Sequence, residues 1–325
     1  LVEKDEHNET TNRLAGLCKA AADPHRLGIL RVLRNESYGV QELTYIFDML
    51  QSGMSHHLKI LARTDLVTTR KEGTRIFYRQ SLMDEQDPHY QLKHALLVAV
   101  EGLPLSAQTE KRMTDVREER ARLSQAYFSK NADAFSEKQD LIVTYSQYEG
   151  CINDLLGSTA FSKEASVLEV GPGNGELLFH LVARFGEVIA LDNSAEMLAK
   201  TRETMEARGL RHINYINGDP GVARASGVKV DLIALNMVLH HMASPAQALA
   251  DCARLLGRGG VMLVADLGPH GQNWVREACG DLWLGFEAEE LANWAMSAGL
   301  QVGQSIFISL KNGFQVQMRL FHAKA

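Results

Sequence analysis

Apolar positions along the chain fall into two regimes. In the first hundred residues they recur at helical spacing. Leu14, Leu17 and Cys18 share one face of a predicted helix over 12–22, and Leu27, Leu30 and Leu33 mark a second that restarts after Asp23-Pro24. Asp is a good N-cap and Pro a good first helical residue, because the N–H that Pro lacks has no partner there in any case. A short helix over 41–47 follows, and then Gln51-Ser52-Gly53-Met54 opens a helix with Met54, Leu58 and Leu61 inward. Residues 67–71 and 75–79 alternate like strands around Glu72-Gly73-Thr74, which predicts a hairpin with a glycine turn.

The second regime alternates strands with helices, the pattern of a parallel sheet. Strands are predicted at 166–170, 187–191, 213–216, 230–235 and 261–265, the last preceded by the run Leu255-Leu256-Gly257-Arg258-Gly259-Gly260. The helix after the first of them carries Leu177, Leu178, Leu181, Val182 and Phe185 on one face and closes at Gly186. The chain ends in a hairpin, 305–310 with 314–320, around Lys311-Asn312-Gly313. Between the regimes, residues 106–140 are rich in charge, including Arg117-Glu118-Glu119-Arg120 and Arg122, which predicts a solvated helix joining two domains.

Composition narrows the class. A length of 325 residues fits two domains, and 45% hydrophobic with 23% charged residues is an ordinary globular balance. No apolar run reaches the roughly 18 residues that span a bilayer, and the polar, acidic start at Leu1 is not that of a signal peptide. Four scattered cysteines (Cys18, Cys151, Cys252, Cys279) without a Cys-x-x-Cys pair point to a reducing cytoplasm, no disulfide framework and no cysteine zinc site. The net charge of -6 means that any nucleic-acid function rests on a local basic patch. Lys59, Arg63, Arg70, Lys71, Arg75 and Arg79 supply one, against only Asp65 and Glu72.

The order helix, helix, helix-turn-helix, hairpin is that of a winged helix. With Ala22-Asp23-Pro24-His25-Arg26-Leu27, Ser55-His56-His57-Leu58-Lys59 and Glu72-Gly73-Thr74-Arg75, the first 105 residues closely resemble the ArsR-type winged-helix regulators. The resemblance implies a homodimer, with the helix over 91–100 helping to form it, that binds a double-stranded DNA operator. Ser52, Ser55, His56 and Lys59 lie on the recognition helix, near the end whose dipole and short polar side chains favour phosphate. Arg70, Lys71 and Arg75 lie on a wing along the DNA backbone. A winged helix also serves as a protein-docking module, and the basic wing weighs against that use. Many such regulators sense metals. Here Glu42-Leu43-Thr44-Tyr45 stands where a Cys-x-Cys is common, and Asp87-Pro88-His89 matches half of another site whose second half fails at Val100. With His94 a lone extra, no metal site is expected.

In the second domain, Glu169-Val170-Gly171-Pro172-Gly173-Asn174-Gly175 follows the first strand directly. A glycine-rich turn there brings backbone close to a ligand at the carboxyl edge of a parallel sheet. Its Gly-x-Gly-x-Gly spacing with a preceding acid differs from the dinucleotide fingerprint. Glu169 would repel a pyrophosphate but suits a ligand carrying an ammonium and a sulfonium. Asp192 lies 17 residues past Gly175 at a strand end, where an acid accepts hydrogen bonds from both ribose hydroxyls. These motifs, in order, resemble the class I methyltransferases that use S-adenosylmethionine (SAM), from about Tyr145 onward. The resemblance implies a Rossmann-like seven-stranded sheet with an antiparallel last strand, and SAM or S-adenosylhomocysteine (SAH) as ligand. It places Glu169, Gly171, Gly173 and Gly175 on the methionine side, and Asp192 with Asn193 at the ribose. Gly218 and Asp219 fall at the adenine, and Asn236 and Met237 near the reactive methyl. Tyr127, in Ala126-Tyr127-Phe128-Ser129-Lys130-Asn131-Ala132, matches a segment that covers the cofactor, or with Phe128 and Phe135 simply packs a helix.

The expected architecture is therefore two domains: a mainly α winged helix-turn-helix over 1–105, a charged helical linker and cofactor-covering segment over 106–144, and the α/β methyltransferase-like domain over 145–325. No catalytic residue is assigned. His240, His241 and His270 are candidate bases, and adjacent His240 and His241 cannot both face a substrate, so at least one is structural. Cys252 and Cys279 form no evident cluster, which excludes arsenite methylation. The aromatic segment 273–286 lines a pocket or packs a cap. Two functions remain: a transcription regulator with SAM or SAH as effector, or an active methyltransferase acting on a small-molecule acceptor.

Overall fold

The structure, a computed structural model, describes residues 2–72, 75–131 and 135–324, so Gly73-Thr74 of the predicted turn and Ala132 of the covering segment lie outside the described residues. The chain divides into two compact units, 1–118 and 119–325.

The first unit contains α1 (Val2–Ala21), α2 (Pro24–Val32), β1 (Tyr38–Gly39), α3 (Val40–Phe47), α4 (Gln51–Arg63), β2 (Val67–Glu72), β3 (Arg75–Gln80) and α5 (Tyr90–Glu101). Asp23 caps α2 by accepting the Arg26 N–H at 3.0 Å. Arg26 folds back to donate from Nε and Nη2 to the carbonyls of Ala20 and Lys19, both at 2.7 Å, which satisfies the end of α1. Glu42 accepts the Gly39 N–H at 2.7 Å and so opens α3. Leu17, Leu30, Leu33, Leu43, Met54, Leu58 and Leu61 meet in one core. The predicted hairpin is present and antiparallel, paired from Val67↔Gln80 to Glu72↔Arg75, so that Glu72 belongs to the strand, and β1 joins it through Tyr38↔Tyr78 to give the order β1-β3-β2. Two residues are too few for alternation to announce β1. On α5, Leu92 and Val98 stay 41% and 53% exposed.

The charged segment forms α6 (Ala107–Asn131), within which the division between the units falls. It is not simply a solvated helix. In the first unit, Met113 is buried, the Tyr45 hydroxyl donates to Asp115 at 2.8 Å and Arg117 Nε donates to Glu36 at 2.7 Å. In the second, Arg120 is buried and Ser124 donates to the His241 carbonyl at 3.0 Å. Charge alone misleads here because arginine stems bury while their heads pair.

The second unit continues with α7 (Phe135–Asp140), α8 (Glu149–Gly157), β4 (Ser166–Val170), α9 (Glu176–Val182), β5 (Glu187–Asp192), α10 (Ala195–Ala207), β6 (Asn214–Asn217) and α11 (Pro220–Ala225). Then come β7 (Val230–Asn236), α12 (Pro245–Ala253), β8 (Leu256–Leu267), α13 (Trp274–Ala278), α14 (Ala288–Ser297), β9 (Gln301–Ser309) and β10 (Gln315–His322). The sheet order is β6-β5-β4-β7-β8-β10-β9, with β4 to β8 parallel and β10 antiparallel to both its neighbours. This is the seven-stranded, Rossmann-like methyltransferase sheet expected from the sequence. Its central strands are nearly continuous apolar runs, as strands covered on both faces must be. The strand predicted at 261–265 is longer. Val230 pairs with Leu256 and Leu232 with Val261, so Gly257–Gly260 bulge within β8, with Gly259 at φ +70°.

Candidate ligand site and DNA-binding face

Parallel strands bring the ends of β4, β5, β6, β7 and β8 to one edge of the sheet. There each connecting turn is tied to the next strand. The Gly171 N–H donates to the Leu191 carbonyl at 2.8 Å, Gly218 to Asp192 at 2.9 Å, and Met237 to Ala265 at 2.8 Å. Gly171, Gly173 and Gly175 all have positive φ, at +65°, +54° and +78°. At Gly171 there is also no room, since a Cβ would stand 2.4 Å from Val238 Cγ2. The turn thus requires glycine, by its positive φ throughout and by the close packing of Val238 at Gly171 and Met205 at Gly175.

Glu169, at the end of β4, is 1% exposed, and its Oε2 has no hydrogen-bond partner. Burial pushes its carboxyl well above the usual range. An orphaned buried acceptor is costly, and a donor, best a cation, removes the cost. Asp192 accepts the Ser194 N–H at 2.8 Å through Oδ1, and burial pushes its carboxyl up to about 6 against that bond. Asn193 is exposed, its carbonyl accepting from Gln125 at 3.2 Å. Asp219 caps α11, its Oδ1 accepting the Val222 N–H at 3.0 Å, and remains exposed. Asn236 Oδ1 accepts from the Tyr148 hydroxyl at 3.1 Å, and Met237 holds a left-handed φ of +52°. Tyr127 packs: its hydroxyl donates to the Ala278 carbonyl, its ring lies against Gly280, and burial pushes its phenol up to about 12.

Tyr145, Tyr148 and Asp266 at this edge were not singled out as site residues from the sequence. Tyr145 and Tyr148 meet with ring centroids 5.3 Å apart, and the buried Tyr145 hydroxyl has no hydrogen-bond partner. Burial and then the Glu169 charge hold the Tyr145 phenol far above its ordinary value. Asp266, fully buried on β8, accepts the Leu239 N–H at 2.9 Å through Oδ2 and lies 2.7 Å from His240 Nδ1 through Oδ1. An acid ending a buried apolar strand was the available signal, the one that marks Glu169 and Asp192. Burial opposes a charge on His240, yet Asp266 and Asp281 overcome it and hold the imidazole up at about 9. His241 instead faces the Gly280 carbonyl at 3.4 Å and the Phe128 ring at 4.9 Å between centroids, and burial keeps it neutral. His270 packs on Phe314, with centroids 4.7 Å apart.

In the first unit, α4 turns Met54, Leu58 and Leu61 inward and leaves Ser52, Ser55, His56 and Lys59 exposed. Lys71 and Arg75 are exposed on the hairpin. Arg70 differs, because its side chain is only 11% exposed and its Nε donates to the buried Glu72 carboxylate. The Asp-x-His segment is a turn: Asp87 accepts from the His89 N–H and from Lys93 Nζ, both at 2.7 Å, while His94 stacks on Tyr90. Elsewhere Asp23, His25 and His57 converge with ligand atoms within 4.8 Å of one another, a grouping that positions so far apart in sequence concealed. Burial lowers the His57 imidazole, against the pull of Asp23.

Comparison with known proteins agrees with both halves. Residues 23–69 match the family described as bacterial regulatory protein, arsR family, and residues 167–260 match a methyltransferase domain. The chain therefore joins an ArsR-family helix-turn-helix domain to a methyltransferase domain. Over 65 residues it is 43% identical to the transcriptional activator HlyU of Vibrio cholerae, covering 20% of this chain and 60% of that protein. Over 102 residues it is 33% identical to a ubiquinone biosynthesis O-methyltransferase of Caulobacter sp., covering 31% of this chain and 40% of that enzyme. Both matches span less than two thirds of the relative. Among solved structures, the N-methyltransferase NodS of Bradyrhizobium japonicum, in complex with SAH, aligns with a TM-score of 0.49 at 12% identity, over 62% of this chain and 99% of that one.

Proposed function

We propose that the chain is a DNA-binding transcriptional regulator whose methyltransferase-type unit binds SAM or SAH as effector. The observation that carries the ligand is Glu169, a buried acid with an orphaned oxygen at the foot of a glycine turn of positive φ, where the methionine ammonium supplies the missing donor. Gly171, Gly173 and Gly175 cradle that side, Asp192 and Asn193 hold the ribose, Gly218 and Asp219 meet the adenine, and Asn236 and Met237 border the methyl. The DNA reading is supported by the exposed Ser52, Ser55, His56 and Lys59 on α4 and by Lys71 and Arg75 on the wing. As a regulator it acts as a homodimer in the cytoplasm, and the apolar residues exposed on α5 suit the dimer contact. Among the described residues no helix is long and apolar enough to cross a membrane. The deciding experiment is fluorescence anisotropy of the protein on its own upstream DNA, without ligand and with SAM or SAH. A shift of about tenfold, which is about 1.4 kcal/mol, is expected. Tight DNA binding indifferent to both nucleosides sinks the effector reading.

A second reading, an active methyltransferase for a small-molecule acceptor, draws on His240. Its Nε2 has no hydrogen-bond partner, and Asp266 fixes its ring. In methyl transfer the acceptor's lone pair displaces sulfur from the methyl carbon, the C–S electrons stay on sulfur and the acceptor sheds a proton. An imidazole held protonated to about pH 9 orients an acceptor as a donor rather than removing that proton. Release of SAH from SAM with candidate acceptors tests this reading.

A further inference from the structure

We infer that Asp23, His25 and His57 form a binding site for a divalent transition metal of the zinc class, joining the start of α2 to α4. Asp23 is the N-cap of α2, His25 lies in the first turn of that helix, and His57 lies in the middle of α4. His25 Nδ1 and His57 Nδ1 stand 4.0 and 3.8 Å from the same oxygen, Asp23 Oδ1. The two imidazole rings are tilted toward each other with centroids 5.7 Å apart. His57 Nδ1 is buried without a hydrogen-bond partner.

Donors around a tetrahedral zinc are separated by about 3.3 Å, given metal–ligand distances near 2.0–2.1 Å. The two His–Asp gaps are therefore about 0.7 and 0.5 Å too wide, and all three donor atoms lie within 4.8 Å of one another, so the site closes on a metal by small rotations of the Asp23, His25 and His57 side chains together. Two imidazoles and a carboxylate choose zinc, or its neighbours cobalt and nickel, over calcium or magnesium, which take mostly oxygen. The fourth position is open to water on the side where His25 is 61% exposed. The Arg26 N–H bond to Asp23 Oδ1 leaves that oxygen a second lone pair and orients it, as ligating carboxylates commonly are. Arg26 Nη1, 3.6 Å from Asp23 Oδ2, opposes the cation, which makes this an exchangeable site rather than a permanent structural one.

The metal fixes α4 through His57, beside Ser55, His56 and Lys59. An effect on DNA follows from the regulator reading and rests on it; the binding of metal does not. The test is titration of the full-length, reduced protein with Co2+. One equivalent with tetrahedral visible absorption and no intense thiolate band in the near ultraviolet is expected, displaced by Zn2+. His25→Ala, an exposed position, is expected to keep the fold by circular dichroism and to weaken the metal at least tenfold. The double variant His89→Ala, His94→Ala is expected to bind as the wild type does. Absence of bound cobalt in the wild type, or undiminished affinity in His25→Ala, overturns the site. The DNA arm repeats the anisotropy measurement with and without Zn2+. Zinc that binds through His25 yet leaves DNA affinity unchanged overturns the coupling. Failure to bind DNA both with and without Zn2+ strikes the regulator reading, while the cobalt titration still decides independently whether the metal site exists.

Discussion

At the scale of single residues, the two acids of the sheet edge make separable predictions. In the proposed site Asp192 would serve a ribose best when ionised, because two hydroxyl donors need an acceptor-only carboxylate. Burial raises its pKa to about 6, so affinity for SAH is expected to fall as pH drops through 6, approaching about tenfold per unit below it. Isothermal titration from pH 7.5 to 5 reads this, and Asp192→Asn should flatten it; a parallel slope in the variant assigns the titration to another group. The stability of the ligand-free protein runs the other way. A carboxyl whose folded pKa is raised contributes its stability fully below about pH 4 and loses it as pH climbs through 6. Asp192→Ala should weaken SAH by about 1–3 kcal/mol at neutral pH. Glu169 speaks to the other end of the ligand. Glu169→Gln is expected to weaken SAH about tenfold while leaving 5′-methylthioadenosine, which lacks the amino acid, unchanged. Equal losses for both would mean that Glu169 supports the turn and does not receive the ammonium.

At the scale of elements, the wing separates two arginines that look alike in sequence. Arg75 is exposed, and Arg75→Ala should weaken all DNA sequences alike and lower the salt slope by about one unit. A sequence-selective loss would put Arg75 at the bases and not at the phosphates. Arg70 alternates to the other face and is tied to Glu72, so Arg70→Ala is expected to lower the melting temperature by removing a charged partner from a buried acid. The same contrast shows how much was legible beforehand. Periodicity of 3.6 and of 2 located the hairpin, α4 and the sheet strands, because those elements each bury one face or both. It missed β1, whose two residues pair only after β3 exists, and the bulge in β8, where the glycine run interrupts a strand that pairs with β7 on both sides of it. The glycine turn was legible because the chain leaves β4 through positive φ, and the place of Asp192 because the apolar run of β5 stops at it. Asp266, Tyr145 and the Asp23–His25–His57 grouping were not, since each owes its partners to elements distant in sequence. Tyr127 was legible as an aromatic in the right place, but only its bond to Ala278 shows what its hydroxyl does.

At the scale of the whole molecule, joining an ArsR-family domain to a methyltransferase domain matters only if the two ligands exchange free energy. If SAH changes DNA affinity by some factor, the operator must change SAH affinity by the same factor, because the cycle of four states closes. A tenfold effect in anisotropy therefore predicts a tenfold shift in the SAH dissociation constant when saturating operator DNA is added, with the same sign. Asp192→Ala should leave DNA affinity without ligand intact and move the SAH response to higher concentration, since the ligand's preference between the two DNA-binding states need not depend on its ribose contact. An enzyme that merely carries a DNA-binding domain predicts otherwise. It would show SAH affinity indifferent to operator DNA and a turnover rate set by acceptor alone. Measuring SAH binding with and without DNA thus separates an effector from a cofactor without any knowledge of the acceptor, and unequal factors in the two directions would expose a third state, such as a change in dimerisation, that both ligands perturb.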